Sequence, residues 1–551
     1  MRPENSTRTA IWLSILGLLL LFPGTMNLPL MDRDEPRFSR AAVEMLERGT
    51  AIVPYFNGEY RFDKPPLSYW LMWPGLTAFG NTEIAVRLPS ILESILCGLL
   101  IFSFGRRLGL RSEAAALASA AWFTCLQVLI HSRMAVADMG LLVFLTITMR
   151  ALWELSETMR PPAGWRPILR SGWFHVLWLS LGLGFLAKGP LAVAVPLTAL
   201  LVAAVLAKFR RLENPLPMQV AGLAWAVALV PALALVAIWG IPALIETDGQ
   251  FFKVGIGKHV IERGYESFNK RVFIPGVYYL LVLPVFFVPW SGWLPQIFGS
   301  FARRDRAGVF LTSWAAAPFL IFSFYSTQLP HYILPGYPAL VLLMAAASGS
   351  GETRRPRLSW TLAGIPSAAL FLVGVLGFWG CLRVSTMDSG LAMLLGGIGG
   401  FAVLLGAACL CPLAGKPRMA VALCLAAAVC FHLAALGGSN CHASKRITER
   451  IRQESGRPGA IGYMEPSLVW YLGRTWSFGG TPAEGDGIQI ALMRKWRVDG
   501  EVLNALIKNG IPEPTRDNRK ELQAWVPDDA PRVYGWSAAD TSWVELAFWR
   551  R

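Results

Sequence analysis

Apolar runs recur along most of the chain, each closed by a short polar connection. A helix that crosses a bilayer needs about 20 mainly apolar residues. Thirteen segments fit that pattern, centred near residues 20, 95, 121, 144, 180, 198, 230, 286, 316, 340, 369, 398 and 427. Two stretches, 31–83 and 244–275, relax into longer polar loops. From residue 438 onward the pattern changes kind. A basic helix (444–455), a short strand (460–463), a helix (466–472) and strand-like pieces (488–493, 543–548) follow one another. That alternation predicts a small α/β domain. The expected architecture is a polytopic α-helical integral membrane protein of about 13 transmembrane helices, residues 1–437, with a C-terminal α/β domain, residues 438–551.

Charge gives the orientation. Alternate connections and the N-terminus carry 20 Lys and Arg against 7 Asp and Glu. Among them are Arg106, Arg107, Arg150, Arg170, Arg303 and Arg304. Such a bias places the N-terminus and these loops in the cytoplasm. The two long loops and the C-terminal domain then lie on the opposite face. Composition agrees: 54% of the 551 residues are hydrophobic and 16% are charged, against about 25% charged in ordinary soluble domains. A soluble multidomain enzyme and a disordered chain are both excluded. The net charge of +15 is mostly the +13 of the cytoplasmic connections, so it does not point to nucleic acid. Six of the eight cysteines sit in or beside apolar runs and no CxxC occurs, which removes a zinc knuckle or redox motif. No small-residue cleavage site follows the first apolar stretch, so a retained span is expected there.

Chemically distinctive residues gather on the outer face. Asp34 and Glu35 follow the first span. They read either as a solvated loop dyad or as catalytic carboxylates at the mouth of a cavity. Residues 39–48 have helical spacing and suit a helix lying on the membrane surface, and Pro65-Pro66 can open a second. Asp63-Lys64 is either a surface ion pair of small value or a stiffly held site in which Lys64 and nearby Arg37 take a phosphate. Asp138 opens the fourth span, as a charge favouring the helix dipole or as an acid of the site. Lys188 at a Gly-Pro turn is either a snorkelling lysine or a further cation for the same anion. His259 and Arg263 lie in the second long loop, where one His with one carboxylate could hold zinc or manganese. His331 and Tyr332 belong to a proline-rich turn at the outer end of a span, as helix-end punctuation or as part of a gate. Each residue alone is ambiguous; their shared side is the argument.

The order of these motifs resembles a known family. DE-x-R follows the first span. Then come F-D-K-P at Phe62–Pro65, an Asp opening the fourth span, K-G at a turn, H-x-x-x-R, and L-P-x-Y-I-L-P. The set resembles the bacterial aminoarabinose (lipid A) transferases and the wider protein O-mannosyltransferase-like group of GT-C glycosyltransferases, over about residues 10–340. The resemblance implies an inverting transfer of a sugar from a polyprenyl-phosphate donor to lipid A, or to a protein or glycan acceptor, on the periplasmic side of the bacterial inner membrane, with no nucleotide cofactor. Carried over residue by residue, it implies Asp34, Glu35 and Asp138 as catalytic-site acids. Arg37, Lys64, Lys188 and Arg263 match donor-phosphate cations, Asp63 and His259 a metal pair, and Tyr332 with His331 the outer gate. Three positions depart from the pattern. Asp63 stands where Glu is usual, Phe38 where Tyr is usual, and His331 where Thr is frequent. A lipid-linked-sugar flippase is the competing class. It would place ionisable groups near the midplane beside matched broken helices, whereas here they cluster at the outer ends.

Overall fold

The computed structural model describes residues 3–31, 33–159, 165–210, 218–266, 276–348, 356–385, 388–482, 487–497, 513–539 and 542–550. Nine helices among the described residues are long and apolar enough to cross a membrane. They cover the predicted centres at 95, 144, 198, 230, 316, 340, 369, 398 and 427. The other four expected spans take different forms. The first helix, α1 (Pro3–Leu21), ends before Pro23-Gly24, so its centre lies well short of residue 20. The segment near 121 is two helices, α5 (Ser112–Thr124) and α6 (Leu126–His131), separated by an extended Cys125. The Leu126 N–H freed by that break donates to the Val288 carbonyl at 2.9 Å. The helix at 180 runs Gly172–Lys188, 17 residues. Near 286 the helix is the short Tyr278–Phe286, because Pro284, Pro289 and Pro295 interrupt the ladder in quick succession.

The first long loop is built as expected but packed differently. Helix α2 (Asp34–Arg48) is followed by a two-stranded hairpin, β1 (Tyr55–Phe56) and β2 (Glu59–Tyr60), and then by α3 (Leu67–Phe79), which starts after Pro65-Pro66. Helix α2 was expected to lie on the membrane surface. Instead Phe38, Ala41, Ala42 and Met45 are buried with Tyr69, Met72 and Leu76 of α3, Ala85 and Val86 of α4 (Glu83–Arg107), and Trp470 of the C-terminal domain. The domain covers the helix from outside.

The last long helix ends at Cys441. Beyond it, strands β3 (Gly459–Ile461), β4 (Ser477–Gly479), β5 (Ile488–Arg497), β6 (Arg516–Asp517), β7 (Arg532–Ser537) and β8 (Ser542–Arg550) form one mixed sheet. Its order is β4-β3-β5-β8-β7, with β6 beside β5. Ile447, Ile451, Leu468 and Trp476 fill one face, and Leu522, Val526 and Trp549 the other. The domain is fastened to the membrane helices by Arg446 on Asp388 at 2.7 Å and to the hairpin by Asn57. The Asn57 side chain donates to the Trp476 carbonyl at 3.0 Å and accepts from the Trp476 N–H at 2.7 Å.

Candidate functional site

Helix α2 begins at Asp34, whose side chain is exposed at the helix N-terminus, where a carboxylate is favoured. The next residue points the other way. Glu35 is fully buried and forms a bidentate pair with Arg87 of α4 at 2.9 and 2.8 Å. It also accepts the Met31 and Ala135 N–H groups, each at 2.7 Å. Both oxygens are occupied and sealed from solvent, so Glu35, expected among the catalytic acids, is a clasp instead. Arg87 completes it by donating to the carbonyls of Thr25, Leu28 and Pro29. The sequence reading missed Arg87. Its signal was an arginine one turn inside a mainly apolar span.

Arg61 was also missed. It donates to Asp63 Oδ2 at 2.7 Å and to the Tyr69 hydroxyl at 3.3 Å, and its guanidinium lies 5.1 Å from the Phe38 ring centre. Phe38 thus serves as an aromatic face for a cation, which needs no hydroxyl. Lys64 donates to Asp63 Oδ1 at 3.1 Å. Each oxygen of Asp63 therefore faces a cation, which is a poor fit for the metal ligand it was expected to be. The side chain of His259, the other half of that pair, lies outside the described residues, as does that of Arg263. Burial, then the charge of Arg61, pulls the Arg37 guanidinium below its ordinary value, while Asp34 and Asp63 oppose the shift. Burial pushes the Tyr69 hydroxyl up to about 12, so it stays neutral beside Arg61.

A second group sits across the loop. Asp138 opens α7 (Asp138–Thr158) and pairs with Lys188 at 2.5 Å. The His331 ring lies 4.8 Å from that of His131, and Tyr332 packs on Phe322 at 4.7 Å. Lys64 and Lys188 both line one cavity of about 350 Å³, whose walls include Phe185, Val236, Trp239, Leu244, Phe251 and Ile256. Two indoles hold the loop over it: Trp70 donates to the Ala51 carbonyl at 2.9 Å and Trp239 to that of Ile52 at 2.8 Å. Arg37, expected to share a phosphate with Lys64, lines a different space. That space is a polar cleft of about 580 Å³ with Asn57, Glu59, Arg457, Trp476 and Phe478, between the hairpin and the C-terminal domain.

The description of the dolichyl-phosphate-mannose-protein mannosyltransferase family matches residues 9–255. Over 390 residues the chain is 31% identical to an undecaprenyl phosphate-alpha-4-amino-4-deoxy-L-arabinose arabinosyl transferase of Erwinia tasmaniensis, covering 68% of this chain and 67% of that protein. The chain belongs to this arabinosyl transferase family. The Edwardsiella ictaluri member is 31% identical over 353 residues, which span 61% of this chain and 59% of that relative's length. The crystal structure of ArnT from Cupriavidus metallidurans bound to undecaprenyl phosphate superposes with a TM-score of 0.67 at 20% identity, over 98% of this chain and 97% of that one. The arabinosyl transferase family therefore shares its whole fold with this chain, a multi-pass helical membrane domain of GT-C type carrying a small mixed-sheet domain.

Proposed function

We propose that the chain is an inverting membrane glycosyltransferase that moves an aminoarabinose-type sugar from a polyprenyl-phosphate donor to lipid A. The observation that carries this reading is the cavity lined by two lysines and otherwise mainly by apolar side chains. A phosphate on a long isoprenoid chain has the same division. Cations suit its head, and burial of its hydrocarbon contributes roughly 25 cal/mol per Å². The names of the relatives supply the donor class and the sugar. The acceptor, lipid A, is the one the motif resemblance implies. The polar cleft beside Arg37 and Arg457 is the proposed seat of the acceptor head group.

In an inverting displacement the acceptor attacks the anomeric carbon as the lipid phosphate departs with negative charge. Lys64 and Lys188 are held by Asp63 and Asp138, so they need no reorganisation to stabilise that charge. Asp34 is the proposed acid–base residue: it takes the proton of an acceptor hydroxyl, or faces the positive charge developing on the sugar when the acceptor is an anionic phosphate. The basic connections, read as cytoplasmic, support chemistry on the periplasmic face of the bacterial inner membrane, with residues 438–551 as a separate domain on that side. No step is assigned to a metal at Asp63.

Mass spectrometry of lipid A from cells with and without the protein tests this. Wild type is expected to add an amino-pentose, and Asp34→Asn to add none while still binding donor lipid. An unchanged lipid A profile with wild type present would defeat the choice of acceptor. Full transfer by Asp34→Asn would remove Asp34 from the chemistry.

A further inference from the structure

We propose that His131, Asp138 and His331 form a zinc site at the outer end of the helix bundle, distinct from the Asp63 and His259 pair. Each offers one ligand atom, and the three atoms lie within 4.8 Å of one another. Ligands of one zinc ion at about 2.0–2.2 Å sit roughly 3.3 Å apart, so small side-chain rotations close the site. The residues come from three elements: the last residue of α6, the first of α7, and the short 3-10 turn Pro330–Gly336. No local sequence motif brings them together; the packing of the turn against the two helices does.

Three details favour a ligand over a chance cluster. His131 Nδ1 is engaged by its own neighbour, Gln127, whose amide lies at 3.0 Å and whose carbonyl lies at 3.2 Å. Nε2 is then the ring atom left for the cluster, and a histidine anchored through its other nitrogen is the usual arrangement in metal sites. His331 is partly buried and has no hydrogen-bond partner among the described residues, although its ring lies 4.8 Å from that of His131, tilted by 40°. Asp138 gives one oxygen, Oδ1, to Lys188 and keeps Oδ2 for an ion. Two imidazoles and one carboxylate, with a fourth position open, suit zinc. The ammonium of Lys188 holds the affinity below that of a closed four-ligand site. A bound ion would pin the turn that carries Tyr332 to the helix that carries Asp138.

The proposal stands apart from the transfer reaction, because metal content is read without turnover. Full-length His259→Ala protein in detergent, loaded with zinc and desalted, is expected to retain one zinc per chain. Its X-ray absorption spectrum is expected to show a shell containing two imidazoles. Adding His131→Gln and His331→Gln should weaken zinc binding by at least about tenfold. Absence of zinc from the His259→Ala protein would overturn the site, as would a spectrum without imidazole. So would equal zinc retention after the double substitution. The absorption spectrum decides the matter even if the double variant does not fold.

Discussion

Asp34 and Glu35 are adjacent acids with opposite fates, and the difference is burial. Asp34 meets solvent at a helix start, whereas Glu35 meets a guanidinium and two backbone N–H groups in a sealed space. Removing one partner of a buried ion pair leaves the other charge uncompensated, at a cost of about 3–5 kcal/mol. Glu35→Gln is therefore expected to lower the thermal midpoint in detergent by several degrees, while Asp34→Asn leaves it near wild type. Equal midpoints for the two variants would refute the clasp. The motif DE-x-R was legible in the sequence; the division of labour within it was not. Nothing local marks which carboxylate will face Arg87, 52 residues later. The same holds for Arg61, whose neighbours Tyr69 and Phe38 become a cation's surroundings only after α2 and α3 pack.

At the scale of elements, the helices at the C-terminal end of the membrane domain pack through glycines. A Cβ on Gly437 of Pro417–Cys441 would lie 2.3 Å from the Leu394 backbone nitrogen of the helix Ser389–Leu410. One on Gly397 of that helix would lie 2.4 Å from the Ala434 nitrogen. In lipid, such small residues let backbones approach and pack. Gly437→Val should force the pair apart and cost about 1–3 kcal/mol or more, seen as a lower thermal midpoint. Gly364→Ala is the control, since no described residue lies within 4 Å of its missing Cβ, and it should be neutral or slightly stabilising. Identical midpoints would show that the close approach is not needed. Periodicity located these helices because every turn repeats the apolar signal. It failed at Cys125 and near Pro284, where the chain stays apolar but the ladder breaks. A hydropathy pattern carries no record of a break of that kind.

At the scale of the molecule, the seam between the membrane helices and the sheet domain carries a titratable group. His442 follows the last long helix and is buried. Its Nδ1 accepts from the Lys445 N–H, and its Nε2 has no partner among the described residues. Burial, reinforced by the Lys445 charge, lowers its pKa to about 3. An unfolded histidine protonates near about 6.5. Below that value the unfolded chain binds the extra proton, so stability falls as pH drops from about 6.5 towards 3. Wild type should therefore lose thermal stability between pH 7 and pH 5, and His442→Asn, which can still cap the helix that follows, should lose less. Matching pH profiles would show that the histidine does not set this dependence.

The paired hydrogen bonds between Asn57 and Trp476 join residues 419 positions apart. Ribosomes deliver the hairpin early, yet its docking partner emerges only after every spanning helix has been made. Residues 61–64, immediately beyond that hairpin, would therefore reach their final positions last. During synthesis the protein would be threaded through the bilayer before it could act, and a nascent chain stalled short of residue 476 would hold its helices without a finished first long loop.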